Sequence, residues 1–422
     1  MNKAEKIKTT LKETKHRRTS QDCKVYTCKF DYSHLSKEKR EYLNLLFLEA
    51  KWLRNHYVAS EDVFNETDKL GKVHVINKDG AKEERELRNL SSQMKQGILD
   101  GVKNDISGLS ASKGKGRKVG RLKFKSRVNS INLKQFDNTY KIKSKSYITL
   151  QGFKKQFRLR GLKQIPDGAE MTNAKLIRKP SGYYLAITCF VPKVERKQTG
   201  KEVGLDFGIG THITDSECVK NNWKFQETKR HKRLQRKVNK TYKRGTKSSK
   251  NREYRKHLCR LEHEKLSNRK KDAVKKFVSN IKNNYDFIGV QNESIAAWKS
   301  SRMKGWGSVV HYSIMGGIIS EIKKLSQTQI VDKWEPTTQE CLICGKKTKH
   351  SLDQRIFVCS HCGHTEDRDI HSAKIVLKKA KQIRMESTNT MPVESEASIY
   401  QSAMIDGQAS SMRQEAPCFS KG

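Results

Sequence analysis

A chain of 422 residues has room for two or three domains and a substantial core, so its length permits an enzyme. A formal net charge of +43 would make the molecule repel itself unless a large polyanion neutralised it, which points to nucleic acid. No apolar run approaches the ~20 residues of a spanning helix, and none follows the basic N-terminus, so the expectation is an unsecreted, cytoplasmic, nucleoid-associated protein.

Residues 1 to about 22 are polar and basic without apolar periodicity, which predicts an arm that stays disordered until nucleic acid meets it. Lys24 to Phe30 alternates like a strand. From Ser36 the apolar residues Leu43, Leu46, Phe47, Ala50, Leu53 and Tyr57 recur at the spacing of one helical face, and Met94, Ile98, Val102 and Ile106 mark a second helix. Ser112 to Gly120 reads as a flexible basic connection, after which alternation returns in Arg121–Lys125, Ile131–Phe136, Tyr147–Leu150 and Tyr183–Val191. The pattern predicts a small β-barrel with helices inserted after its first strand. Lys123, Lys125, Arg158 and Arg160 alternate with apolar neighbours, so one face would pack a core while the other meets phosphates, or simply water.

A new domain begins near Gly200, with the apolar strand Val203–Asp206, a hairpin-like return, and a highly charged helical stretch from Lys229 to Asn284. Between Lys229 and Lys256 there are fourteen Lys or Arg and one acidic residue, far more than the solubility of a helix surface needs. Arg230, Arg233, Arg236, Lys237, Arg244, Arg252 and, further on, Arg269 are therefore assigned to nucleic-acid backbones. From about Lys381 to Gly422 the chain is rich in Ser, Glu, Met and Gln and reads as a disordered tail.

Four of the ten cysteines fall in two close pairs, Cys341/Cys344 and Cys359/Cys362, separated by fourteen residues. That spacing can deliver four thiolates to one zinc and leaves no open position for water, so the metal would be structural. Iron is the competing metal, and His361 and His364 are possible substitute ligands. Asp206 ends an apolar strand and Glu293 lies just past another, Phe287–Val290, where sheet-based sites sit. Asp369 opens an apolar helix, where an Asp ordinarily serves as an N-cap. Taken together, the three acids could converge on two divalent ions about 4 Å apart, the arrangement that two-metal phosphodiester cleavage requires. Oxygen ligands select Mg²⁺ or Mn²⁺.

Four motifs carry a family likeness. Gly204-Leu205-Asp206-Phe207-Gly208, Phe287-Ile288-Gly289-Val290-Gln291-Asn292-Glu293 and Asp367-Arg368-Asp369-Ile370-His371-Ser372-Ala373 resemble three RuvC motifs, and Val331-Asp332 with Thr337–Gly345 resembles a zinc-finger lead-in. Over about Val25 to Lys379 the chain is similar to the transposon-encoded TnpB nucleases and the miniature type V CRISPR effectors descended from them, although the third motif there usually has Asn where His371 stands.

The resemblance implies an α/β, RNase H-like (RuvC) nuclease domain with a zinc-finger insertion, and an N-terminal wedge-type β-barrel with an inserted helical recognition lobe. Its boundaries would be an arm at 1–22, the first barrel strand at 23–34, the recognition lobe at 35–111 and the rest of the barrel at 112–197. The nuclease would follow at 198–340, the zinc finger at 341–364, the final nuclease helix at 365–382 and the tail at 383–422. It implies an RNA-guided DNA endonuclease with guide RNA and double-stranded DNA as partners, reading a short motif beside its target. Asp206, Glu293 and Asp369 would be its catalytic acids, Arg368 would help position the scissile phosphate, and Asp367 is a lesser candidate. The order Asp, Glu, Asp disfavours a recombinase whose Glu comes last, and a nuclease-dead RNA-guided binder would lack an acid.

Overall fold

The computed structural model describes residues 2–77, 80–242, 246, 248–300, 305–351 and 354–389; Arg244 and the expected tail beyond residue 389 lie outside them. The chain divides into two compact units, Met1–Glu195 with Lys237–Glu264, and Arg196–Arg236 with Lys265–Gly422.

The first unit opens with helix α1 (Lys3–Thr19), strand β1 (Gln21–Phe30), helix α2 (Lys37–Ala59), a hairpin of β2 (Lys72–Ile76) and β3 (Lys82–Glu86), and helix α3 (Ser92–Gly114). Strands β4 (Ser130–Leu133), β5 (Tyr140–Ser144), β6 (Tyr147–Leu150), β7 (Phe153–Arg160), β8 (Glu170–Lys179) and β9 (Gly182–Pro192) follow. Seven strands make a near-closed, barrel-like sheet in the order β4-β8-β9-β1-β7-β6-β5, and every pairing in it is antiparallel. Helix α2 starts where the Ser36 hydroxyl accepts the Lys39 amide, and it buries Leu43, Leu46, Phe47, Ala50, Leu53 and Tyr57 on the face the periodicity indicated. Tyr42 stacks on Phe153 at 4.3 Å, joining the helix to the sheet, within which Phe30 meets Phe157 edge-on at 5.5 Å. Glu49 is buried, yet its carboxylate accepts the Asn89 and Leu90 amides and the Asn89 side chain, so its charge fixes the approach to α3.

Three local expectations change. The segment expected to be a disordered arm forms α1, held through Arg17 and Arg18 to Glu170 at 3.0 and 2.7 Å. Residues 121–125 form no strand: Asn55 on α2 binds both the Lys125 amide and its carbonyl, drawing this segment away from the sheet ladder. Phe124 is consequently exposed and not part of the core. The hairpin β2–β3 lies among helices in a region expected to be wholly helical, paired from Lys72↔Glu86 to Ile76↔Lys82.

The second unit is built on β10 (Glu202–Phe207), β11 (Ile213–Asp215) and β12 (Lys220–Asn221). The charged helices α4 (Lys229–Lys240) and α5 (Lys250–Asn284) intervene before β13 (Phe287–Gln291), and each runs from one unit into the other. Short helices α6 (Ile295–Ser300), α7 (Trp306–Tyr312) and α8 (Met315–Ile322) lead to β14 (Thr328–Val331). A small hairpin, β15 (Ile356–Val358) and β16 (Thr365–Asp367), then precedes the final helix α9 (Arg368–Asn389), which continues past the expected end at 382. The sheet order is β12-β11-β10-β13-β14, with β10, β13 and β14 parallel and β11 antiparallel to β10. Its apolar strands bury Val203, Leu205, Ile288 and Val290.

Two glycines decide how α9 lies on this sheet. Gly204 and Gly289 are direct partners in β10 and β13. A Cβ at Gly204 would sit 2.0 Å from the Ala373 carbonyl oxygen, and one at Gly289 would sit 2.9 Å from the Ala380 Cβ. The helix backbone occupies the space that a side chain would take. Gly204→Ala is therefore expected to lower the unfolding free energy by about 3 kcal/mol or more, the upper range for overpacking. Gly101→Ala, which meets nothing within 4 Å, should be neutral or slightly stabilising in the same urea melts; equal effects at the two positions would contradict this packing.

Candidate active site and metal centre

Asp206 is the fifth residue of β10, one position beyond the Leu205↔Val290 pair, and Glu293 follows β13 by two residues. Both acids thus leave the same end of two adjacent parallel strands. Helix α9 brings Asp369 and Ser372 to that end, and the Ser372 hydroxyl donates to Asp206 Oδ1 at 3.1 Å. Asp369 is not the helix cap: Asp367 Oδ1 accepts the amides of Asp369 and Ile370 at 3.1 and 3.3 Å, while its other oxygen meets Lys220 Nζ at 2.7 Å. The capping task falls to Asp367, which leaves the Asp369 carboxylate without it.

The electrostatics register this convergence. Asp206 is pushed up to about 7, first by desolvation and then by the carboxylates of Asp369 and Glu293, against the Ser372 hydrogen bond and the Arg368 charge. Glu293 is also raised by burial, opposed by the Ser294 amide and by Lys323 and Lys333. It opens onto a cavity of about 540 Å³ that Lys299 and His311 also line. The three acids do not close around a single point. Among the described residues, only the four cysteines and the set His364, Glu366 and His371 bring three or more ligand atoms within 4.8 Å of one another. Gln291, at the end of β13, anchors the neighbouring loop: its amide donates to the Asp332 and Glu335 carbonyls and its oxygen accepts from Thr337.

The four cysteines form two matching knuckles. In one, the Cys341 amide donates to the Lys346 carbonyl and the Gly345 amide to Cys341; in the other, Cys359 donates to His364 and Gly363 to Cys359. Gly345 and Gly363 carry the same positive φ, 70° and 72°, which closes each turn. The sulfurs of Cys341 and Cys362, and of Cys344 and Cys359, are 3.6 Å apart. A tetrahedron of about 2.3 Å Zn–S bonds has edges near 3.8 Å, so the donor set fits zinc. His361 is exposed and His364 belongs to the other cluster, so neither replaces a thiol.

The basic residues separate into groups. Arg230, Arg233, Arg236 and Lys237 are exposed along α4, whose buried residues are His231 and Leu234. Lys123, Lys125 and Arg269 are also exposed. Arg160 instead pairs with buried Asp31 at 2.8 Å, with Arg158 at 3.9 Å from the same carboxylate, and Arg252 donates to the Val238 carbonyl and the Ser248 hydroxyl. Alternation singled out Arg158 and Arg160, and charge density singled out Arg252, without showing that each has a protein partner. Ser372 and Asp367, which position the acids, were legible only as parts of a motif.

Comparison with known proteins adds two family matches. The OrfB_IS605 model, described as a probable transposase, matches residues 186–301, which contain Asp206 and Glu293. The model described as Cas12f1-like, TNB domain, matches residues 323–376, which contain the four cysteines and Asp369. No curated protein matches the chain. Among solved structures, a cryo-EM structure of the Cas12f1-sgRNA-target DNA complex aligns with 14% identity and a TM-score of 0.46, covering 81% of this chain and 83% of that one.

Two outcomes follow from the geometry. A folded-state value near 7 for Asp206, against about 4 in an unfolded chain, means that the native state holds the extra proton between those values. Its contribution to stability is present below about pH 4 and is lost as pH rises towards 7. Asp206→Asn should therefore stabilise the metal-free protein at pH 8 by on the order of 1–2 kcal/mol and leave it unchanged at pH 4, as read by denaturant melts at both pH values. At the knuckles, Cys344→Ser or Cys362→Ser should release about one zinc per chain and lower the melting temperature, measured by metal analysis beside thermal unfolding. Unaltered zinc content would rule out the four-thiolate site.

Proposed function

We propose that the chain is a relative of the TnpB proteins and the miniature type V effectors, and an RNA-guided DNA endonuclease whose RuvC-like, RNase H-fold site uses Asp206, Glu293 and Asp369. The observation that supports this most strongly is the placement of Asp206 and Glu293 at the same end of the paired strands β10 and β13, with α9 bringing Ser372 onto Asp206 and Asp369 to the same end. In this reading Asp206, Glu293 and Asp369 would together hold more than one divalent ion, Mg²⁺ or Mn²⁺. That role agrees with three acids that do not gather on one point. Ions bound there would supply the charge that activates a water and neutralises the leaving 3′ oxygen.

The chain's own residues prepare the site. Ser372 fixes the rotation of the Asp206 carboxylate, and Asp367 caps α9 so that Asp369 is presented and not consumed. Arg368, whose charge already reaches Asp206, would steer a phosphate. The exposed basic face of α4 suits a nucleic-acid backbone. Guide RNA and double-stranded target DNA are the partners in this reading, with a short adjacent motif read by the N-terminal barrel and recognition lobe and sequence choice left to base pairing.

Protein with its guide RNA and Mg²⁺ should cut a matched duplex and spare a scrambled one. Asp206→Ala, Glu293→Ala and Asp369→Ala should each reduce cutting by at least about a hundredfold while RNA binding persists. Equal cutting of both duplexes, or cutting without RNA, would remove the guided reading even if all three acids proved necessary.

A further inference from the structure

Beside the cysteine knuckles lies a second group of ligand-type side chains that the nuclease reading does not use. His364 follows the second knuckle, Glu366 is on β16, and His371 is in the first turns of α9. One ligand atom from each lies within 4.8 Å of those of the other two, and Glu366 Oε2 faces both His364 Nε2 and His371 Nδ1. All three atoms are buried and without a hydrogen-bond partner. His371 is 0% exposed, and Glu366 and His364 are 17% and 24% exposed. Converging polar atoms shielded from water and left without a partner are costly unless something sits among them.

The bonding around His371 sets which of its nitrogens is available. Its Nε2 lies 2.8 Å from the Glu340 carbonyl, which can only accept, so Nε2 carries the proton and Nδ1 presents its lone pair to Glu366. A histidine that ligates a metal through one nitrogen characteristically donates from the other to a carbonyl or carboxylate in this way. The ring is held in place by Phe357, stacked at 3.8 Å. Glu366 Oε2 is 3.4 Å from His371 Nδ1 and 3.6 Å from His364 Nε2. A tetrahedral zinc with bonds of about 2.0–2.1 Å has ligand atoms roughly 3.3–3.4 Å apart, so the spacing suits an ion better than direct hydrogen bonds. The second carboxylate oxygen, Oε1, is taken by Lys374, which leaves Oε2 for the cluster.

We propose that His364, Glu366 and His371 form a second zinc-class cation site, separate from the four cysteines. Two imidazoles and one carboxylate favour zinc over Mg²⁺. Such an ion would clamp β16 and the second knuckle to α9, the helix that presents Asp369, and the proposal stands whether or not the chain is a guided nuclease. The competing state is a second proton on His371, making it a cation paired with Glu366.

The test is the metal content of the full-length protein, stripped with chelator, refilled with zinc and desalted. About two zinc ions per chain are expected, falling to about one in His371→Asn and in His364→Asn. About one ion in the unaltered protein, unchanged by either substitution, overturns the proposal in favour of the protonated pair. Should a variant fail to fold, cobalt titration of the unaltered chain decides. A second equivalent that adds weak visible bands without further thiolate charge-transfer absorption supports the site, and saturation at the thiolate equivalent alone overturns it.

Discussion

The contact between α9 and the paired glycines of β10 and β13 is the constraint on which the second unit depends. With no side chain at Gly204 or Gly289, the helix backbone comes down onto the strands, and the Ala373 carbonyl occupies the position of the missing Cβ. Helix and sheet are then held at a fixed height and rotation. Ser372 reaches Asp206, Asp369 arrives at the same strand ends, and Asp367 caps the first turn. Val376 and Ala380 continue the contact onto Phe287 and Val331 further along the sheet. A close-packed interior transmits displacement, so a methyl group beneath this helix would move an acid several residues away.

Charge gives the site its character. In a molecule of formal charge +43, burial first and the neighbouring carboxylates of Asp369 and Glu293 after it raise Asp206 to about 7. The positive exterior suits phosphate backbones, whereas the acids repel them; a phosphodiester could approach Asp206 only if cations intervened. Attraction over the surface and repulsion at the centre are thus reconciled by the same ions that the acid arrangement suits.

Much of this was legible in the sequence, for identifiable reasons. The apolar face of α2 and the buried runs of β10 and β13 are period signals that tertiary packing reinforces, and the two Cys-x-x-Cys pairs fix their own turn geometry. The failures were physical as well. Helix α1 has no apolar stripe because charged side chains anchor it, so hydrophobic periodicity was blind to it. Residues 121–125 alternate like a strand, but Asn55 claims the Lys125 backbone before a ladder can. Asp367 and Asp369 are two residues apart, and only backbone geometry decides which one caps the helix. The convergence of His364, Glu366 and His371 depends on the hairpin folding against α9, and their spacing in the chain does not announce it.

The central claim is that Asp206 joins Glu293 and Asp369 around a pair of cations. Electron paramagnetic resonance of the full chain, assembled with guide RNA, an uncleavable matched duplex and Mn²⁺, addresses it directly, because two Mn²⁺ ions about 4 Å apart couple their spins. The account predicts a coupled-pair spectrum that disappears in Asp206→Asn. Isolated Mn²⁺ signals in the unaltered protein, or a coupled pair that survives the substitution, would contradict it.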